Sequence, residues 1–143
     1  MRTPVRNGCL VAALLCVSGG VQADESRVLR ANIVGCVKAV DGLGDDLRAP
    51  MQSHCLALAI ARCERADSGP AARCFSDLTD TMQRYADALA TMLDTDIPRA
   101  ASDTLCTARH SSDTNRTRCV LVAEFGHLRD LFNAAKAARL DLP

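Results

Sequence analysis

Apolar side chains along this chain recur at spacings of three and four, the periodicity of a helix face. From 26 to 40 they fall at Leu29, Ile33, Cys36, Val37 and Val40, with Asp24 or Ser26 able to cap the segment and glycines after Asp41 to end it. A second helix is expected from near Pro50, a favourable first-turn residue, turning Met51, Cys55, Leu56 or Leu58, and Cys63 inward and stopping before Ser68-Gly69. The longest pattern, Cys74, Leu78, Met82, Tyr85, Leu89 and Met92, predicts a helix from Pro70 to Leu93, roughly 36 Å long. Asp94 to Arg99 contains Pro98 and reads as a break, and Ala100 to Ala108 as a short helix carrying Leu105 and Cys106. The last helix, from about Asn115 to Leu140, presents Leu121, Phe125, Leu128, Phe132 and Ala135. Two long helices of similar reach predict an up-down bundle. No segment alternates with period two, so no strand is expected. The stripes that include Met82, Met92 and Phe125 read as core. The predicted fold class is all-α: a disulfide-stapled bundle of four to five helices, mostly antiparallel hairpins.

The ends of the chain and its cysteines sharpen this picture. Arg2 and Arg6 precede an apolar stretch from Cys9 to Val17, then Ser18-Gly19-Gly20 and Val21-Gln22-Ala23. That is the order of a secretory signal peptide, expected to be cleaved after Ala23. The stretch is far shorter than the ~20 residues of a membrane span, and the bulky Leu15 before Cys16 disfavours lipidation. Residues 24–143 then form one helical domain, periplasmic or secreted. Six cysteines remain in it: Cys36, Cys55, Cys63, Cys74, Cys106 and Cys119. An even number in a short exported chain reads as a disulfide framework. On one helix Cys55 and Cys63 would lie roughly 12 Å apart, beyond the ~7 Å reach of a disulfide.

Antiparallel helices bring residues level when they are equidistant from the turn. Cys36 with Cys55 centres on Asp45-Asp46, Cys63 with Cys74 on Ser68-Gly69, and Cys106 with Cys119 on Ser112-Asp113, all in turn chemistry. Cys74 with Cys106 would centre on Ala90, inside a helical pattern. The expected pairs are therefore the three sequential ones.

Charge and motifs narrow the function by exclusion. The whole chain carries 17 basic and 17 acidic residues, so no strong field recruits nucleic acid or anionic lipid. The cysteine spacings lack C-x2-C, and neither a metal nor a cofactor is expected. Glu124, His127 and Asp130 share a helix face that reads as solvated. His110-Ser111-Ser112-Asp113 reads as a turn in which Ser112 or Asp113 caps the last helix, because catalytic triads are assembled from residues distant in the chain. His54 beside Cys55 is the remaining imidazole. No phosphate loop, dinucleotide fingerprint or nucleophile elbow is present. No catalytic residue is assigned, and the protein is not expected to be an enzyme.

The run Cys55-Leu56-Ala57-Leu58-Ala59-Ile60-Ala61-Arg62-Cys63, followed at Cys74 by a long amphipathic helix, resembles the LprI-like lysozyme-inhibitor family of bacterial envelope proteins over about residues 36–90. The resemblance implies an exported, cysteine-stapled helical domain. Leu78, Met82 and Ala86-Asp87 stand where that family usually shows an acidic residue, a Trp and a Leu-Asn pair, so no inhibitory residue is carried over. The expected function is a non-enzymatic module that binds a protein or other cell-envelope partner. The alternatives are a small envelope enzyme or ligand carrier using the bundle interior, and a structural or assembly subunit.

Overall fold

Helices account for nearly all of the residues that a computed structural model describes, 33–65, 69–99 and 102–140, and no strand occurs among them. The expected leader, residues 1–23, and the start of the first helix lie outside that set. The elements are α1 (33–41), α2 (Asp45–Arg65), α3 (Ala71–Leu93), α4 (Ser102–Arg109) and α5 (Asp113–Ala137). The architecture is an all-α bundle stapled by three disulfides.

Local chemistry sets the helix ends. Pro70, with φ −65° and ψ 132°, precedes α3, and Gly69 before it adopts φ +152°, which a side chain would strain. Asp94 closes α3 in the left-handed region, its N–H donating to the carbonyls of Ala90 and Thr91. Ser112 caps α5, its hydroxyl accepting from the Asn115 N–H at 3.2 Å.

α2 departs from the expected start near Pro50. It begins five residues earlier, where the Gly44 carbonyl accepts from both the Leu47 and Arg48 amides. Asp45 and Asp46 place two carboxylates at the positive end of the helix dipole. The α1–α2 bend is thus only residues 42–44, and Pro50 sits inside the helix.

Cys36–Cys55 joins α1 to α2, Cys63–Cys74 joins α2 to α3, and Cys106–Cys119 joins α4 to α5, with Cα separations of 5.9, 5.5 and 5.7 Å. Each bridge spans one bend, the geometry that the turn midpoints predict. In the chain-entropy picture each stabilises by roughly 3 kcal/mol.

α3 and α5 form the principal interface. Phe75, Leu78, Met82, Ala86 and Leu89 are buried on α3, and Leu121, Phe125, Leu128, Leu131, Phe132 and Ala135 on α5. The Tyr85 and Phe132 rings approach to 5.9 Å between centroids. Two expected stripes are shifted. On α3, Cys74, Tyr85 and Met92 fall at ~100° per residue on the edge of the buried arc, and Met92 is exposed. On α2, the arc defined by the two buried cysteines takes in Gln52 and Ala59, so Met51 and Leu58, expected inside, face out. Leu105 on α4 is also exposed while Cys106 is buried. No helix among the described residues is long and apolar enough to cross a membrane.

Pro50 is exposed and offers no N–H to the Asp46 carbonyl one turn back. Replacing it by Ala is expected to stabilise the protein by about 1–3 kcal/mol; chemical denaturation reads the difference, and a loss of stability contradicts the placement of Pro50 inside α2.

Candidate functional site

α5 buries one arc against both α3 and α4 that spans roughly 160° at ~100° per residue, wide enough to include polar positions. Glu124 is 2% exposed and His127 9% exposed, which corrects the expectation of a solvated face. Only Asp130, on the far side, remains at the surface, 3.9 Å from Arg129.

Arg99, in the segment that follows α3, and Ser102, the first residue of α4, are the partners of Glu124. Ser102 donates its hydroxyl to Glu124 Oε1 at 3.3 Å. Arg99 Nε lies 3.0 Å from Glu124 Oε2, close enough for an ion pair, although no N–H is aligned on that oxygen as a hydrogen bond. The other arm of the guanidinium donates to Asp87 Oδ1 on α3 at 2.8 Å. One arginine therefore bridges α3 and α5. The His127 Nδ1 atom is buried without a hydrogen-bond partner.

A second polar group closes the opposite end of the bundle. Arg48 on α2 lies 3.1 Å from Asp45 and 4.0 Å from Asp41, and Lys136 of α5 donates to Asp45 Oδ1 at 2.9 Å. Gln52, one turn after Arg48, is buried with its Nε2 atom unpartnered. The hydrogen bond from Lys136, then the charges of Lys136 and Arg48, hold the Asp45 carboxyl below its ordinary range. A carboxyl depressed in the folded state favours folding above its unfolded pKa, and that contribution is lost as pH falls through the folded value.

The other residues singled out in the sequence do not converge. His54 is exposed on α2, and His110 is half-buried at the end of α4. Ser112 and Asp113 begin α5. The six cysteines are consumed in the three bridges. No cluster of His, Cys, Asp and Glu suited to a metal ion occurs among the described residues. A shallow groove between α1, α3 and α5, without room for an enclosed water molecule, is lined by Ile33, Val34, Val37, Met82, Tyr85, Leu128 and Phe132, all apolar except for the Tyr85 hydroxyl. Arg99 and Ser102 were not legible as site residues, since each lies in or beside a break and meets Glu124 only through the fold. Glu124 itself carried a signal, because its helical angle falls between those of the buried Leu121 and Leu131.

No family model, curated protein or solved structure matches this chain.

The Arg99–Glu124–Ser102 group works as a latch holding the α3–α4 connection to α5. Arg99→Ala leaves a buried carboxylate with only the Ser102 hydroxyl and is expected to cost about 3 kcal/mol in chemical denaturation. The double variant Arg99→Ala, Glu124→Leu should recover most of that loss; no recovery would show that Arg99 stabilises by some other contact. At the other end, Lys136→Ala should raise the pH at which Asp45 titrates, followed by carboxyl NMR, and an unchanged midpoint would contradict the tie to α5.

Proposed function

We propose that the protein is an exported, non-enzymatic module, periplasmic or secreted, whose stapled helices present a fixed surface to a macromolecular partner in the cell envelope. The supporting observation is the covalent plan: among the described residues, each helix is joined by a disulfide to a sequential neighbour. Such bonds form and persist in oxidising compartments. They also hold surface side chains in place before binding, which lowers the entropy lost on association. The balanced charge of the chain favours a protein or glycan partner over nucleic acid.

The resemblance of the Cys55 to Cys63 run and the helix after Cys74 to lysozyme inhibitors makes a muramidase the first partner to test. Oxidised protein titrated against lysozymes of several classes should reduce the turnover of one of them stoichiometrically, and the reduced, alkylated protein should not. Unchanged turnover at excess oxidised protein rules out the inhibitor version.

A second reading, a small envelope enzyme or ligand carrier, draws on the Glu124 Oε2 and His127 Nδ1 atoms, which are buried without aligned hydrogen bonds. The groove between α1, α3 and α5 is lined without either residue, so the surface-binding reading is preferred.

A further inference from the structure

The packing of α2 is poor for a helix of 21 residues. Its buried residues are Gln52, Cys55, Ala59, Ile60 and Cys63. Apart from the two cysteines, Ile60 is the one large apolar side chain that it buries, with Leu56 half-buried. On α3, by comparison, Phe75, Leu78, Met82 and Leu89 are all buried. α2 meets α3 and α5 far less extensively than those two helices meet each other. Leu47, Met51 and Leu58, the apolar side chains that would strengthen its seat, face outward. Gln52 is 1% exposed with its Nε2 atom unpartnered, and an amide buried without a hydrogen bond opposes packing. Pro50 removes one backbone hydrogen bond from the helix itself.

Covalent bonds supply what packing does not. Among the described residues, the ion pairs from α2 to α5 are Glu64 with Arg118 and Asp45 with Lys136, each at 2.9 Å. All four side chains are solvent-exposed, and such pairs contribute little. The strong attachments are Cys36–Cys55 and Cys63–Cys74. One cysteine of each bridge, Cys36 and Cys74, is half-buried, which places both bridges at the edge of the core. The neighbouring helices are held differently. α1 buries Ile33, Val37 and Val40, and the first two line the groove with Met82, Tyr85, Leu128 and Phe132. α4 is bridged to α5, yet buried Ser102 also donates to Glu124, and Arg99 pairs with the same carboxylate.

We propose that α2 is a redox-released strap: reduction of Cys36–Cys55 and Cys63–Cys74 frees it from the α3–α5 core, while α1, α3, α4 and α5 stay packed. The step is thiol–disulfide exchange with a dithiol reductant. One reductant thiolate attacks a sulfur of the bridge, and the second resolves the mixed disulfide. Each bridge gains two electrons and two protons and becomes two thiols, while the dithiol becomes its own disulfide. Reoxidation reseats α2. The inference concerns only how α2 is held, so it stands apart from the envelope partner proposed above.

Hydrogen exchange read by mass spectrometry, with and without excess dithiothreitol, tests the release. Under reduction the amides of residues 51–65 should exchange at least about a hundredfold faster, while those of α3 and α5 change by less than about tenfold. Removing the dithiothreitol and reoxidising should restore the slow exchange. The variant combining Cys36→Ala, Cys55→Ala, Cys63→Ala and Cys74→Ala should show the fast pattern without reductant. Cys106→Ala with Cys119→Ala should leave both α2 and α4 protected. Exchange in α2 that is as slow reduced as oxidised overturns the proposal. So does a joint loss of protection in α2, α3 and α5, which would make the bridges supports of the whole fold. Release of α4 by Cys106→Ala with Cys119→Ala, to the extent seen for α2, overturns the distinction between the two helices.

Discussion

Two cysteines eight residues apart on one helix, each bonded to a different neighbour, fix the rotation of α2 about its own axis. Cys55 is held by Cys36 of α1 and Cys63 by Cys74 of α3. Because these positions lie roughly 80° apart around the helix, both can face the bundle only if the arc between them faces it too. Gln52 and Ala59 lie on that arc and are buried, although neither offers much apolar surface. Met51, Leu58 and Leu47 are carried to the outside by the same rotation. Covalent geometry has overridden hydrophobic preference along this helix, and an uncharged face is left exposed as the consequence.

Away from α2 the usual driving force dominates. α3 and α5 bury Phe75, Leu78, Met82, Leu121, Leu131 and Phe132 almost completely. Fully burying one such side chain is worth roughly 1.5–3 kcal/mol, so this interface can outweigh any single staple. Its breadth has a cost, since α5 is covered on two sides and Glu124 and His127 are drawn inside with its apolar residues. Arg99 and Ser102 offset that cost at Glu124. The His127 Nδ1 atom has no corresponding partner.

Helix periodicity was legible on α5 and most of α3, where packing decides which face is inside, although Met92 at the end of the α3 stripe is exposed. On α5 all five residues of the expected stripe, from Leu121 to Ala135, are buried. It failed on α2, where an apolar pattern indicated an inner face at Met51 and Leu58 while disulfide geometry selected another. The bends were legible because glycine, proline and aspartate mark them, and the level pairing of cysteines across each bend follows from simple counting. The start of α2 was misread because Pro50 is a strong first-turn signal, whereas the Gly44 carbonyl and the two aspartates after it nucleate the helix earlier. The latch at Glu124 was hidden for a different reason: Arg99 and Ser102 are distant in sequence from Glu124, and periodicity says nothing about which segment will cover a helix face.

The proposed function rests on the same covalent frame, because the bridges point to an oxidising environment and fix neighbouring helices against one another. Peptide mapping of the unreduced protein by mass spectrometry tests that frame most directly. Three linked peptides are expected, joining Cys36 to Cys55, Cys63 to Cys74 and Cys106 to Cys119, with all six thiols blocked from alkylation. A free thiol among the six, or a bond between distant helices such as Cys74 to Cys106, would contradict both the fold and the compartment inferred from it.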